Sequence, residues 1–298
     1  MSYGPPGEPP PGSADELRGP TVLRMILGTH LRRLREEAGV TPDQAGYEIR
    51  ASRSKISRME HGRVGFKDRD VTDLLTLYGI TDAQVRARML AAARHANAQG
   101  WWSRYDDLLP DWFEQYLGLE GAASVIRSFE LQFVHGLFQT EAYARAVTLL
   151  GYKTAPADEI DRRVSLRLKR QDIFTSPEPP QVWSVMDEAV LRRPAGGRAV
   201  MRVQLERLAE VASLPQVTIQ VIPFGGGCHA AAGGSFTILR FAEPELPDVV
   251  YIEQLTSALY LDGRPDVEHY REVMNDLSTQ ALTPDRTARF LAEITREI

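Results

Sequence analysis

The sequence predicts a multi-domain protein in which an all-α domain of five short helices is followed by a larger α+β domain. Three observations carry this. With 298 residues and roughly 150 residues to an ordinary domain, the chain has room for two. Its first hundred residues place apolar side chains at helical spacing between glycine stops, whereas beyond residue 180 short runs alternate apolar and polar. The charge divides in the same place: residues 20–100 hold 14 Lys and Arg against 9 Asp and Glu, and residues 101–298 hold 20 against 28. A net charge of −5 for the whole chain argues against a nucleic-acid binder, but it hides a basic module joined to an acidic body.

Residues 1–19, "MSYGPPGEPPPGSADELRG", are rich in Pro and Gly and offer no periodic apolar face, so a disordered tail is expected there. Without a basic start and an apolar run, the tail does not read as a signal peptide. No window of 18 apolar residues exists, so no membrane helix is expected. One cysteine, Cys228, cannot form an internal disulfide. A cytoplasmic protein is the resulting expectation.

Within 20–100, Leu23, Leu27, Leu31, Leu34 and Ala38 trace one stripe of a first helix, and Gly39 stops it. Thr41 with Pro42 behind it reads as the start of a second helix over 41–49. After a turn at Arg50 and Ala51, Ser52 caps a third helix that ends at Gly62. "DRDVTDLLTLYG" predicts a fourth, with Val71, Leu74, Leu75 and Tyr78 inward, and a fifth runs from Thr81 through "DAQVRARMLAAARHANAQ".

Residues 101–176 are aromatic and mainly helical in pattern, up to the breaker "TSPEPP". Residues 181–298 read as mixed sheet and helices: strands in "QVWSVM", "QVTIQVIPF", "GSFTILRF", "DVVYIEQL" and "ALYL", a helix at about 198–213, and closing helices at about 265–281 and 284–297. Consecutive strands are expected to pair antiparallel. No internal repeat is present.

The third helix carries the chemistry. A helix can enter the major groove of DNA only if one face anchors it and the other is free to donate hydrogen bonds. Ile56 and Met59 are the anchors, leaving Arg53, Ser54, Lys55, Ser57 and Arg58, with Arg53 and Ser54 in the first turn where bases are read. Arginine suits bidentate contact with guanine. The helix starts at Thr41 and Ser52 offer N–H groups to phosphate, and Arg50 and Arg63 flank the helix and complete the basic set assigned to DNA.

"LRRLREEAGVTPDQAGYEIRASRSKISRMEHGR" resembles the Xre/Cro helix-turn-helix, the five-helix lambda-repressor-like fold, over about residues 23–80. The resemblance implies a DNA-binding transcriptional regulator, with base reading at Arg53, Ser54 and Arg58 and flanking roles for Lys55 and Ser57. It also implies a structural ion pair between Arg35 and Glu60. One departure stands out: where family members often carry Gln after the cap of the second helix, this chain has Pro42, which weakens the phosphate contact expected from that helix start.

In the second part, "WWSRYDDLLPDWFEQYLGLE", "HGLFQTEAYARAV", "DEAVLRRP", "GGSFTILRF" and "VVYIEQLTSALYL" resemble the C-terminal domain of actinobacterial WhiJ-like regulators, also described as antitoxin-like. The resemblance implies a transcriptional regulator, often encoded beside a small acidic partner protein, and the large, aromatic, strand-containing second part is expected to serve sensing and dimerisation. The expected partners are therefore double-stranded DNA with a palindromic operator, a second copy of the chain because one helix-turn-helix buries too little surface for tight binding, a small acidic protein encoded nearby, and a small-molecule effector. The alternative the resemblance leaves open is an antitoxin-like protein that sequesters its cognate partner, DNA binding then being autoregulation.

Enzymatic readings are weak. Asp187 and Glu188 are neighbours on a strand end and point apart, and Cys228–His229 lacks a separated base and falls short of a zinc ligand set. The glycines around Cys228 suggest a mobile loop or a lid. The aromatics Trp101, Trp102, Tyr105, Trp112, Phe113 and Tyr116 serve either core packing between the domains or a ligand pocket. The expectation is therefore no enzyme, no cofactor and no metal.

Overall fold

A computed structural model describes residues 20–244 and 246–298, and the chain divides into two compact units, Met1–Trp101 and Trp102–Ile298. The tail expected over residues 1–19 lies outside the described residues.

In the first unit the described residues form α1 (Pro20–Glu37), α2 (Pro42–Glu48), α3 (Arg53–Glu60), α4 (Asp68–Leu77) and α5 (Ala83–Ala96). The apolar stripes meet in one core of Leu23, Leu27, Leu31, Ala45, Ile49, Ile56, Met59, Phe66, Val71, Leu74 and Leu75. Each fully buried large side chain stabilises the unit by about 1.5–3 kcal/mol. α5 starts two residues later than its pattern suggests because Asp82, not Thr81, caps it, its Oδ1 accepting from the N–H groups of Gln84 and Val85 at 2.7 and 3.0 Å. Gly28 permits the tight crossing of α1 over α3: a Cβ there would lie 2.4 Å from the carbonyl oxygen of Met59.

The second unit contains α6 (Asp111–Glu120), β1 (Val125–Glu130), α7 (Glu141–Gly151), α8 (Ala157–Lys169), β2 (Gln181–Asp187), α9 (Glu188–Arg192), α10 (Arg198–Val211), β3 (Val217–Ile222), β4 (Phe236–Arg240), β5 (Val249–Glu253), β6 (Ala258–Leu261), α11 (Arg264–Gln280) and α12 (Pro284–Glu297). The strands make one six-stranded sheet in the order β3-β2-β1-β4-β5-β6. α11 covers one face, where Val267, Met274 and Leu277 pack on Phe129, Val185, Ile238, Val250 and Ile252.

Two expectations are corrected here. β1, at the centre of the sheet, falls inside the stretch read as mainly helical. Its buried residues, Ile126, Ser128 and Phe129, fall on both faces and include a polar one, and none of its six residues is fully exposed, so the two-residue period is masked. And β2 pairs parallel with both β1 and β3, not antiparallel with its successor. Between β2 and β3 the chain returns through α9 and α10 to start again at the same end, which makes the two strands parallel. β4, β5 and β6 do pair antiparallel in sequence, and β4 also pairs antiparallel with β1.

The aromatic segment supplies core to the second unit. Trp102 and Tyr105 pack with Leu108, Leu117 and Leu166, and the Tyr116 ring stacks on Tyr251 with centroids 4.1 Å apart. Beside it lies a buried ion pair: Arg170 Nε and Nη2 donate to Glu120 Oε2 and Oε1 at 2.8 and 2.7 Å, and the Tyr116 hydroxyl donates to Glu120 Oε1 at 2.8 Å.

Candidate nucleic-acid interface

α2 and α3 are joined by a turn closed by two hydrogen bonds, from Arg50 N to Tyr47 O at 3.1 Å and from Ala51 N to Gly46 O at 2.8 Å. The approach is so close that a Cβ on Gly46 would lie 2.9 Å from the Ala51 carbonyl oxygen. Ser52 then caps α3, its Oγ accepting from Lys55 N at 3.2 Å. α3 is oriented from beneath by Ile56 and Met59, each 1% exposed, and at its end by Glu60, whose carboxylate accepts from Arg35 Nε and Nη2 at 2.6 and 3.1 Å. The hydrogen bond to Glu60 holds the Arg35 guanidinium above its usual pKa. Arg35 also donates to the carbonyl of Val40 at 2.9 Å, so one side chain fastens α1, the start of the α2 segment and α3.

The outer face of α3 carries Arg53, Ser54, Ser57 and Arg58, all exposed. Arg53 lies 3.8 Å from Asp43, with both side chains about 70% exposed (72% and 69%). A pair that wet is worth little and leaves the guanidinium available. Among the described residues, Arg50 and Arg58 are exposed and make no side-chain hydrogen bond or ion pair. Arg63, just past Gly62, is exposed as well.

Two members of the sequence-derived set sit differently from expectation. Lys55, read as a free flanking donor, turns inward: its Nζ donates to Asp70 Oδ2 at 2.6 Å, and Asp70 is 1% exposed. An aspartate that deep requires a partner, and Lys55 on the facing helix supplies it. Thr41 is engaged locally in a capping box: its Oγ1 accepts from Gln44 N at 3.3 Å, and its N–H donates to Gln44 Oε1 at 2.8 Å. With Pro42 lacking an N–H, the start of α2 retains fewer free donors than its position suggests. Sequence reasoning passed over Tyr47, which is 87% exposed on α2. Its signal was its place on the helix, one residue from buried Gly46 and out of phase with Ala45 and Ile49.

Residues 26–88, from α1 into α5, match the family described as a helix-turn-helix domain. Residues 113–293, more than half of the chain, match the family described as a domain of unknown function, DUF5753. The chain belongs to the DUF5753 family. Its N-terminal unit is a helix-turn-helix, DNA-binding domain. No curated protein and no solved structure matches the chain.

In the DUF5753 unit the two carboxylates among the sequence-derived enzymatic candidates have structural partners. Asp187 Oδ1 caps α9 by accepting from Ala189 N at 2.7 Å. Glu188 accepts from Arg192 Nε at 2.6 Å and from Phe224 N at 2.8 Å. His229 Nε2 is 3.8 Å from Asp187 Oδ2, while Nδ1 is buried without a partner and the ring meets Phe129 edge-on. Cys228 is exposed, and its carbonyl accepts from Gln280 Nε2 at 3.0 Å, which fastens the glycine-rich loop to α11. Among the described residues no group of three or more His, Cys, Asp or Glu side chains could hold a metal ion, and no helix is long and apolar enough to cross a membrane.

Proposed function

We propose that this protein is a sequence-specific transcriptional regulator of the Xre type, with a lambda-repressor-like first domain and a WhiJ-like second domain. α3 enters the major groove, Arg53, Ser54 and Arg58 read base edges, and Arg50, Ser52, Ser57, Arg63 and Tyr47 hold the backbone. One observation carries the reading: a short helix is anchored on one side by Ile56, Met59 and Glu60 and presents exposed basic side chains on the other. Donors on a fixed helix can find guanine N7 and O6 together, each good pair supplying about 1–3 kcal/mol of discrimination.

The DUF5753 domain dimerises the protein and senses a small-molecule effector or a small acidic partner protein; it is not an enzyme. A cytoplasmic, nucleoid-associated location follows from these roles. The test is to sequence the genomic DNA fragments that the purified full chain retains. A palindromic motif shared by the retained fragments is the expected result. Fragments without a common motif would overturn sequence-specific regulation, and co-purification of a small protein in their place would favour the antitoxin-like alternative.

A further inference from the structure

Four helices of the first unit end in the same hydrogen-bonded motif, in which the residue after the cap turns left-handed and the next N–H reaches back five residues. α1 closes with Val40 N to Arg35 O, α3 with Arg63 N to Arg58 O, α4 with Ile80 N to Leu75 O, and α2 with Ala51 N to Gly46 O. In the first three the left-handed residue is glycine: Gly39 and Gly62 at φ 66° and Gly79 at φ 77°. In the fourth it is Arg50, at φ 53°, the one non-glycine with positive φ among the described residues. For a residue with a Cβ this conformation crowds the following carbonyl, which is why glycine is favoured there. The same chain thus uses the unstrained residue at three equivalent stops and a strained one at the stop that leads into α3.

The turn's backbone hydrogen bonds are those of the three glycine stops, and no side-chain partner among the described residues compensates for the added Cβ. The Arg50 side chain is exposed and makes no hydrogen bond or ion pair among the described residues. It stands two residues before the cap Ser52 and three before Arg53, on the approach to the face that carries Arg53 and Arg58. Strained backbone retained without internal compensation marks functional positions. A guanidinium there suits an anion with several oxygens that approaches the turn from outside.

We propose that Arg50 is a phosphate clamp: a position where conformational stability is given up so that a guanidinium can grip the DNA backbone beside the recognition helix. This rests on the reading of α3 as a DNA-reading helix. It goes further by assigning Arg50 a role in affinity without sequence preference and a measurable opposition between stability and binding.

Full-length wild type, Arg50→Gly, Arg50→Asn and Arg50→Lys are compared by thermal melting and by binding to two 30-base-pair duplexes, one of random sequence and one carrying a retained motif, over a range of salt. Glycine and asparagine tolerate the left-handed turn, so both variants should melt about 2–4 °C higher. Both should bind the two duplexes about five- to tenfold more weakly, by the same factor, with the salt dependence reduced by about one phosphate contact. Lysine keeps the charge and the strain, and should bind within about twofold of wild type at an unchanged melting temperature. Unchanged binding by Arg50→Gly, a loss confined to the motif duplex, or melting no higher in either the Gly or the Asn variant would each overturn the clamp. Wild type that binds neither duplex would instead remove the DNA-reading role of α3, and the clamp with it.

Discussion

Arg35 and Glu60, 25 residues apart in sequence, form a two-pronged ion pair with side chains only 9% and 6% exposed. The pair fastens the end of α1 to the end of α3, so the angle at which α3 is presented depends on it. Removing Glu60 leaves the buried Arg35 with only the exposed Glu36, at 3.5 Å, as counter-ion, and removing Arg35 leaves the Glu60 carboxylate with little water. Glu60→Ala is expected to destabilise the first unit by about 3–5 kcal/mol, whereas the apolar double variant Arg35→Met/Glu60→Leu should be milder than either single change. Thermal melting of the full chain with each variant checks this, and an unaltered first transition for Glu60→Ala would remove the pair from the account.

The inward turn of Lys55 separates two kinds of basic residue on α3. Lys55→Ala leaves the Asp70 carboxylate only the longer bond from the exposed Arg69 Nη2, at 3.3 Å, and should lower stability by about 1–3 kcal/mol while altering DNA affinity little. Arg53→Ala and Arg58→Ala should do the reverse, each losing about 1–3 kcal/mol on the motif duplex and much less on random DNA. Titrations on both duplexes decide it: equal losses on the two would mean that these arginines touch only phosphate.

Glu130 ends β1, partly buried, and makes no side-chain hydrogen bond or ion pair among the described residues. Burial, and after it the charge of Glu253, raises its pKa from 4.5 to about 8. Between those values the folded chain holds a proton that the unfolded chain lacks, so this contribution to stability is full below 4.5 and lost as pH rises through 8. His135 acts in the opposite sense: burial lowers its pKa from 6.5 to about 4, so stability is lost as pH falls through that window. Above pH 6.5 only the Glu130 effect remains. Glu130→Gln should therefore melt like wild type at pH 4.5 and progressively higher than it toward pH 8. A difference that does not vary with pH would contradict the assignment.

A single helix-turn-helix buries little surface, and dimers of this class read half-sites about 34 Å apart. The described part of the first unit has no extended heptad seam, whereas the DUF5753 unit is large and has β6 as an edge strand of its sheet, with Leu259 53% exposed. Sedimentation should show the full chain as a dimer at micromolar concentration and residues 20–100 as a monomer that binds the motif at least tenfold more weakly. A monomeric full chain would place dimerisation outside this protein.

The first unit was legible because its determinants are local. Helix stops at Gly39, Gly62 and Gly79, caps at Thr41 and Ser52, and the stripe of Leu23, Leu27 and Leu31 each act within one or two turns of chain, where residue type nearly dictates conformation. The anchors Ile56 and Met59 follow from the same periodicity. So does the exposed face they leave to Arg53 and Arg58.

What the tertiary structure alone decided are relationships between segments far apart in sequence. That Lys55 serves Asp70, 15 residues away on another helix, depends on how α3 and α4 cross. That β1 lies at the centre of the sheet, parallel to β2 and antiparallel to β4, depends on where α7 to α10 return the chain. Strand neighbours are selected by the burial of whole faces, and Glu130, Ser128 and Arg127 give no local sign of which face is buried. Arg50 spans both levels: its place in a turn is written in the sequence, but only the backbone reveals that it occupies, at φ 53°, a conformation that among the other described residues is found only at glycine.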